Sequence, residues 1–220
     1  MSKEKRLVPE LRFPEFSNDF VKKNINELFT FVRNGFVGIA TPYYVDSRNG
    51  IPYLQGNNIK KGKLEVENVI YVSEYFSSKY KKSELKVNDL LMVQSGHVGD
   101  VAVVDKRFDG ANCHAVIILS PNEFIEVRYM KYFFLSKHGK KLTHLITTGN
   151  TIKHILASDV KKLILNIPEL KEQQKIATFL SLIDKKIELL EKKIELLEEQ
   201  KRGLLQKIFT QEIRFKKDDG

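Results

Sequence analysis

Two identical heptads stand side by side in this sequence, Lys-Lys-Ile-Glu-Leu-Leu-Glu at 185–191 and again at 192–198. They lie within a longer series of apolar residues whose spacing alternates between four and three. The series, here called the seam, comprises Ile176, Leu180, Ile183, Ile187, Leu190, Ile194, Leu197, Leu204 and Ile208, with Lys201 as its polar interruption. Such a repeat is typical of a long helix that packs one face against another helix. The sequence therefore predicts a coiled-coil spacer and dimerisation helix over 169–209.

The apolar surface of this helix is wider than the seam alone. If position a of the heptad holds Leu180, Ile187 and Ile194, a second row of leucines falls at position c. That row consists of Leu182, Leu189 and Leu196. A two-stranded coiled coil needs only positions a and d. Two interpretations stay open: the helix meets more than one neighbour, or its first part packs on its own domain.

Length and charge indicate what kind of domain accompanies the long helix. Its 220 residues, 42% of them hydrophobic, suffice for one globular domain with an appendage. Of the net charge of +9, most lies before the helix: residues 1–168 hold 25 Lys/Arg against 17 Asp/Glu, whereas 169–220 hold 12 against 11. A basic domain attracts a phosphate backbone, so we expect a nucleic-acid partner, with a generic basic protein as the alternative.

Several classes of protein find no support in the sequence. No apolar run approaches the ~20 residues that cross a bilayer, and residues 1–12 do not resemble a signal peptide. A single cysteine, Cys113, leaves no internal disulfide. We therefore expect a cytoplasmic protein with no membrane partner. Phosphate-binding glycine loops, nucleophile elbows and zinc-ligand spacings are also missing, so we expect no catalysis, no metal and no cofactor of the chain's own.

Short β-branched runs and turn signals predict an α+β domain before the long helix. Strands are expected at 51–55, 69–72, 90–93, 100–104, 115–119 and 163–167. Helices are expected at 26–32, at 74–79 behind a Ser73 cap, and at 127–136, with Gly139 as a break. Aromatic residues such as Tyr75, Phe76 and Phe134 are expected in the core. The fold class is thus a mixed α/β domain over 1–168, a long C-terminal coiled-coil helix over 169–209 and a polar tail over 210–220.

Four loops combine turn residues with amides, hydroxyls and cations. The candidate DNA contacts are Asn57, Asn58, Lys60, Lys61 and Lys63 in the first loop, Gln94, Ser95 and His97 in the second, Lys140 and Lys141 in the third, and Thr148, Asn150, Thr151, Lys153 and His154 in the fourth. Asn and Gln side chains can pair with adenine edges, while lysines hold phosphates. The alternative for each loop is an ordinary solvated turn.

Two other functions are compatible with parts of the sequence. The seam alone would suit a coiled-coil scaffold whose domain binds another protein. Glu84-Leu-Lys86 has the Glu-x-Lys spacing of some metal-dependent nucleases, although three residues in a lysine-rich chain are a weak signal. We rank the nuclease last.

Five stretches of the sequence resemble the specificity (S) subunits of type I restriction-modification systems. They are the strand–proline–helix junction at 167–187 with Glu-Gln-Gln at 172–174, Val-Pro-Glu-Leu-Arg-Phe-Pro-Glu-Phe at 8–16, Tyr-Leu-Gln-Gly-Asn-Asn-Ile at 53–59, Asp-Leu-Leu-Met-Val-Gln-Ser-Gly at 89–96, and Phe-Thr-Gln-Glu-Ile-Arg-Phe at 209–215. The junction is the most specific of them, and the resemblance covers essentially the whole chain.

The resemblance implies a division of labour. An S subunit is non-catalytic, and each of its target-recognition domains reads one half of a split site in double-stranded DNA. Its helices set the gap between the halves and dock modification subunits, which bring S-adenosylmethionine, and restriction subunits, which use ATP. S subunits carry two recognition domains and this sequence carries one, so we expect a half-subunit that pairs with a second copy or with a separate half.

Charges beside the seam bear on the orientation of that pair. Asp184, Glu191 and Glu198 fall at position e, and Lys186 and Lys193 at position g. Antiparallel pairing sets e against e and repels mildly, whereas parallel pairing satisfies these charges. Exposed pairs contribute only ~0.2–1 kcal/mol each, and helices of the family run antiparallel. We therefore expect the antiparallel arrangement.

A short segment near the start of the sequence is similar to one near its end. Glu10-Leu-Arg-Phe13 is similar to Glu212-Ile-Arg-Phe215. Four residues can match by chance. If the match is real, residue 210 begins a second copy of the same module.

Overall fold

The computed structural model describes residues 9–149 and 153–215. Residues up to Ala177 form one compact unit, and residues from Thr178 onward form a second. Eleven strands and six helices are seen in the described residues. The strands are β1 (Val21–Asn24), β2 (Phe29–Asn34), β3 (Ile51–Leu54), β4 (Ile59–Lys60), β5 (Lys63–Leu64), β6 (Ile70–Val72), β7 (Leu90–Val93), β8 (Val101–Val103), β9 (Asn112–Cys113), β10 (Val116–Pro121) and β11 (Ile164–Ile167). The helices are α1 (Ile25–Leu28), α2 (Glu74–Lys79), α3 (Val127–Leu135), α4 (Lys137–Leu145), α5 (Ala157–Lys161) and α6 (Leu170–Phe209).

The first unit is built on an antiparallel four-stranded sheet in the order β2-β10-β7-β8. A second sheet has the order β6-β3-β9, in which β3 and β9 run parallel. Two small antiparallel pairs, β1-β11 and β4-β5, complete the strands. The predicted α+β class is confirmed.

The central strands β7 and β10 are buried on both faces, which explains their continuous apolar sequences. Side chains on one face pack with Met130 and Phe134 of α3, and those on the other face pack with Leu54 and Ile59. The first set is Leu90, Met92, Ile117 and Leu119, and the second is Leu91, Val93, Val116 and Ile118. Loops at the edges of this sheet are therefore held by two cores.

Most predicted elements are confirmed. All six expected strands exist within one or two residues, and α2 begins at the expected cap, where the Ser73 hydroxyl oxygen accepts a hydrogen bond from the Phe76 N–H at 3.3 Å. The expected helix at 26–32 is wrong beyond Leu28. Phe29–Asn34 is a strand because its backbone pairs along β10, a long-range contact that outweighs the local pattern.

Gly139 does not break the helical segment as predicted. The break lies at Ser136, which ends α3 and caps α4, its hydroxyl oxygen accepting from the Gly139 N–H at 3.1 Å. A Cβ at position 139 would overlap the Phe133 carbonyl oxygen. Glycine is needed here because the first turn of α4 packs directly on the end of α3.

The long helix α6 confirms the predicted span to within one residue at its start. Its first turns, through Ala177, belong to the first unit, and Glu172, Gln173 and Ala177 are buried there. At the other end, Gln211 adopts a left-handed φ of +62°, and the Ile213 N–H donates to the Lys207 carbonyl at 3.2 Å. This closing turn gives residues 210–213 of the tail a defined conformation.

Candidate nucleic-acid interface

The second and fourth predicted loops lie side by side. Ser95 and His154 form an antiparallel bridge, and the Ile155 N–H donates to the Gln94 carbonyl at 3.0 Å. Thr148 and His154 exchange both backbone hydrogen bonds at 2.9 Å. The turn after β7 is thus held against a segment more than fifty residues away in the sequence.

The third predicted loop is wrong as a loop: Lys140 and Lys141 lie within α4, which packs against the same turn. A Cβ added at Gly99 would lie 3.1 Å from the Thr143 hydroxyl oxygen, so this left-handed glycine permits the close approach of α4. A cavity of about 350 Å³ opens between α4 and the second and fourth loops. Its lining includes Gly96, Lys140 and Lys153, so residues predicted separately as DNA contacts share one concave surface.

The charge of this surface is positive. Lys140 and Lys153 line the cavity together with His144 and Thr147, and Asp100 supplies one carboxylate among the described lining residues. Hydroxyl, imidazole and ammonium groups beside each other can bind phosphate oxygens and base edges. The arrangement therefore suits a nucleic-acid strand better than an apolar ligand.

The first loop reaches this surface through its beginning. A Cβ at Gly56 would lie 3.6 Å from the Ser95 carbonyl oxygen, and Asn57 beside it is exposed. Asn58 is a correction to the prediction. It is only 3% exposed, its side-chain oxygen accepts from the Gln55 N–H at 2.9 Å, and its amide donates to the Glu67 carbonyl at 3.4 Å. Its amide shapes the loop and is not available to DNA.

The three lysines of the first loop lie on the β4-β5 hairpin and do not line the cavity. Lys60 pairs with Glu65 at 2.6 Å, which neutralises it locally. A Cβ at Gly62, in the turn between Lys61 and Lys63, would contact Leu135 of α3. The hairpin is thus a separate basic surface next to α3.

The remaining candidates divide between exposed and undescribed positions. His97 and Lys141 are exposed on the second loop and on α4, near the cavity but outside its lining. Asn150 and Thr151 lie outside the described residues.

An exposed aromatic group beside the first loop was missed by the sequence analysis. The Gln55 amide donates to the Tyr44 hydroxyl at 3.4 Å, and Tyr43 stacks on Tyr75 with ring centroids 6.1 Å apart. Tyr75, expected in the core, is 61% exposed because its neighbour Phe76 takes the buried face of α2. The tyrosine rings raise the pKa of Lys79, which stays charged. The four-residue spacing of Tyr75 and Lys79 on a predicted helix was the available signal.

The Glu-Gln-Gln junction is a buried polar joint. Both Glu172 carboxylate oxygens accept from the Arg12 guanidinium, at 2.7 and 2.6 Å, and this interaction raises the pKa of Arg12. Gln173 accepts from the Glu126 N–H at 2.9 Å and donates to the carbonyls of Phe124 and Pro168. These two side chains fasten the N-terminal segment and the α3 cap to the start of α6.

The seam is exposed over most of its length. Within the second unit its residues are exposed from 41% at Ile183 to 56% at Ile194, and Leu180 and Ile208 are half-buried. The position-c leucines, Leu182, Leu189 and Leu196, are exposed as well. A continuous apolar stripe on a helix is typical of an interaction surface.

The family of the protein follows from a comparison with family models. Residues 17–199 match the type I restriction modification DNA specificity domain. The chain belongs to this family. Its match spans both the α+β unit and most of α6, which is the combination predicted from the junction.

Curated relatives are type I specificity subunits. The chain is 24% identical over 174 residues to the EcoBI specificity subunit of Escherichia coli, covering 78% of this chain and 35% of that protein. It is 24% identical over 174 residues to the MjaVIII specificity subunit of Methanocaldococcus jannaschii, covering 76% and 41%. A third relative, also from M. jannaschii, is 26% identical over 210 residues, covering 90% and 47%. The chain thus spans less than half the length of these relatives.

Solved specificity subunits share the fold. The S subunit of the M. genitalium type I restriction-modification system superimposes with a TM-score of 0.62 at 20% identity, covering 92% of this chain and 49% of that one. The HsdS subunit from Thermoanaerobacter tengcongensis gives a TM-score of 0.57 at 17% identity, covering 83% and 41%. Across the described residues of the specificity chain, no helix is long and apolar enough to span a membrane.

Proposed function

We propose that this chain is a non-catalytic specificity component that reads one half of a bipartite site in double-stranded DNA. The observation that carries the proposal is the convergence of the predicted loops on one cationic concave surface, with Lys140 and Lys153 in a single cavity. Lysines there hold phosphates and fix the position of the domain, while Gln94, Asn57 and Ser95 contact base edges.

Two recognition surfaces come together by pairing of the seam. Each exposed Leu or Ile that a partner helix covers contributes up to ~1.5–3 kcal/mol, which favours pairing over a helix alone in water. A second copy is the simplest partner, and a separate half-subunit would serve equally. In the antiparallel arrangement the two domains lie at opposite ends of the pair and read half-sites separated by a fixed gap.

The paired helices also provide the docking surface for modification subunits. The leucine row at position c remains exposed beside the seam, and a wide apolar face can serve more than one neighbour. S-adenosylmethionine and ATP belong, in this proposal, to the modification and restriction subunits. This chain itself supplies recognition and spacing.

The test is selection of duplexes from a random library by the purified chain, followed by footprinting. A homodimer has two-fold symmetry, so the recovered sites should contain one short motif twice, inverted, with a constant gap. One continuous short site that survives disruption of the seam contradicts the proposal. If the chain binds no DNA but still binds protein partners, the scaffold function is favoured.

A charge-matched pair of variants tests the surface itself. Lys140→Gln/Lys153→Gln should weaken binding to every duplex and lower the slope of log K against log salt by about 0.9 per lost phosphate contact. Lys81→Gln/Lys82→Gln removes the same charge from exposed positions outside the cavity and should leave the slope near that of the unaltered chain. Equal effects of the two double variants would show that net charge alone drives binding.

A further inference from the structure

A second cavity, of about 700 Å³, lies at the base of α6 within the first unit. Its exposed wall is mainly apolar, and Val21 and Phe124 in that wall are 56% and 61% exposed. Ile167 and Pro168 form its floor where β11 leads into the helix. The described residues of this unit leave these apolar side chains open to solvent, which is unfavourable unless another chain covers them.

The rim of this cavity is acidic. Asp19, Glu27 and Glu169 line it, and Lys23 is the one cation among the described lining residues, where it pairs with Glu27 at 2.8 Å. Glu169 accepts a hydrogen bond from the Asn18 amide at 2.7 Å. An occupant with apolar side chains and one cation would match both the wall and the rim.

The chain contains a segment of that composition at its other end. Ile213 on the closing turn of α6 is 39% exposed, Phe215 is 90% exposed, and Arg214 lies between them. In the similar segment near the start of the chain, Arg12 and Phe13 contact the base of α6: Arg12 pairs with Glu172, and Lys175 lies 5.4 Å from the Phe13 ring centroid, while Leu11 is 92% exposed. A cation followed by an aromatic ring therefore suits this region of the first unit.

The antiparallel seam brings the two together between copies. When Ile187 of one helix faces Leu197 of the other, positions a and d match, with Lys201 opposite Ile183, and Ile176, half-buried against its own core, comes level with Ile208. Residues 210–215 of one copy then arrive beside the first turn of α6 in the other.

We propose that the cavity at the base of α6 receives the tail segment Thr210–Phe215 of a second copy. Ile213 and Phe215 cover the apolar wall, and Arg214 pairs with the acidic rim. This inference rests on the antiparallel pairing proposed above and adds a second contact to it. The tail then locks each recognition domain to the end of its partner's helix.

The test is cross-linking between two separately purified full-length variants, Val21→Cys and Phe215→Cys. The native Cys113 does not compete, because it is buried and burial raises the pKa of its thiol. On mixing under mild oxidation, a covalent heterodimer should form. The matched control is Val66→Cys mixed with Phe215→Cys, since Val66 is as exposed as Val21, at 56%, and does not line the cavity.

The cavity pair should exceed the control pair by at least about tenfold, because neighbouring cysteines react at an effective concentration near millimolar. Dimers in sedimentation without that excess overturn this inference and leave the proposed pairing intact. Phe215→Cys cross-linking to itself indicates parallel helices and also overturns it. A chain that stays monomeric at every concentration overturns the pairing as well.

A second variant keeps the inference testable without cysteines. Arg214→Glu should weaken dimerisation by about fivefold through repulsion at the acidic rim, whereas Arg214→Lys should restore most of the affinity. No difference between the two variants would contradict a role for this charge.

Discussion

Two regions of α6 depart from the usual pattern, in which apolar side chains are buried and polar ones are exposed. Its first turns bury polar side chains, with Glu172 and Gln173 inaccessible to solvent, while the turns from Ile183 to Leu204 expose a row of isoleucines and leucines. The first region is satisfied within its own chain by Arg12 and by three backbone groups. The second finds no cover among the described residues.

The first region is a joint within the chain, and the second is an exposed surface. Buried polar groups with complete hydrogen bonding fix one geometry, because any displacement leaves a donor or acceptor without a partner. Apolar side chains left in water carry no such constraint and gain only when another surface covers them. One helix thus holds its own domain by polarity and, in our proposal, its partner by hydrophobicity.

The joint can be broken by one residue. Gln173→Ala should lower the free energy of unfolding by about 3 kcal/mol or more, since three backbone groups lose their partner at ~1–3 kcal/mol each. Urea unfolding followed by circular dichroism measures it. Gln174→Ala is the matched control: Gln174 is exposed, and its replacement should change the free energy of unfolding by less than ~0.5 kcal/mol. Similar losses of stability in the two variants would contradict a stabilising role for the Gln173 hydrogen bonds.

The surface can be broken without touching the joint. Leu190→Glu should raise the dimer dissociation constant at least about 100-fold, or ~2.8 kcal/mol, because pairing would bury a carboxylate in an apolar seam. Sedimentation across a concentration range measures the shift, and unfolding of the recognition domain should stay unchanged. Leu189→Glu makes the same substitution at position c. An equal loss from it would mean that the second leucine row packs in the dimer too.

The effect of salt on the dimer dissociation constant is the smallest of these effects, and it distinguishes antiparallel from parallel pairing. In the antiparallel arrangement Glu191 faces its own copy and the charges repel, so raising salt should tighten the dimer slightly, by less than about fivefold. In a parallel pair Lys186 would face Glu191, and salt should loosen it. The dissociation constant at low and high sodium chloride decides between them.

Local chemistry predicted the elements whose ends are marked in the sequence. Ser73 caps α2, and the heptads fix the extent of α6. The pairing of β1 with β11 escaped prediction because it joins Val21 to Ile167, and nothing local in either strand specifies such a distant partner. Phe29–Asn34 became a strand for the same reason.

The candidate site was predicted by composition and corrected by packing. Its loops were predicted from amides, hydroxyls and lysines, and the approach of α4 to the second loop depends on Gly99, where a Cβ would crowd Thr143. Asn58 has a side chain that could pair with a base, but its amide is already hydrogen-bonded to the loop backbone. Exposed Tyr75 shows the converse, an apolar residue that packing left outside.

The tandem heptads have a consequence for change in length. Because 185–191 and 192–198 are identical, gain or loss of one unit leaves every a and d position in phase while altering the helix by about 10.5 Å at 1.5 Å per residue. Along B-form DNA that step corresponds to roughly three base pairs at 3.4 Å each. Under the function proposed above, gain or loss of one heptad would therefore give a new spacing between half-sites while the loops of the first unit stay as they are.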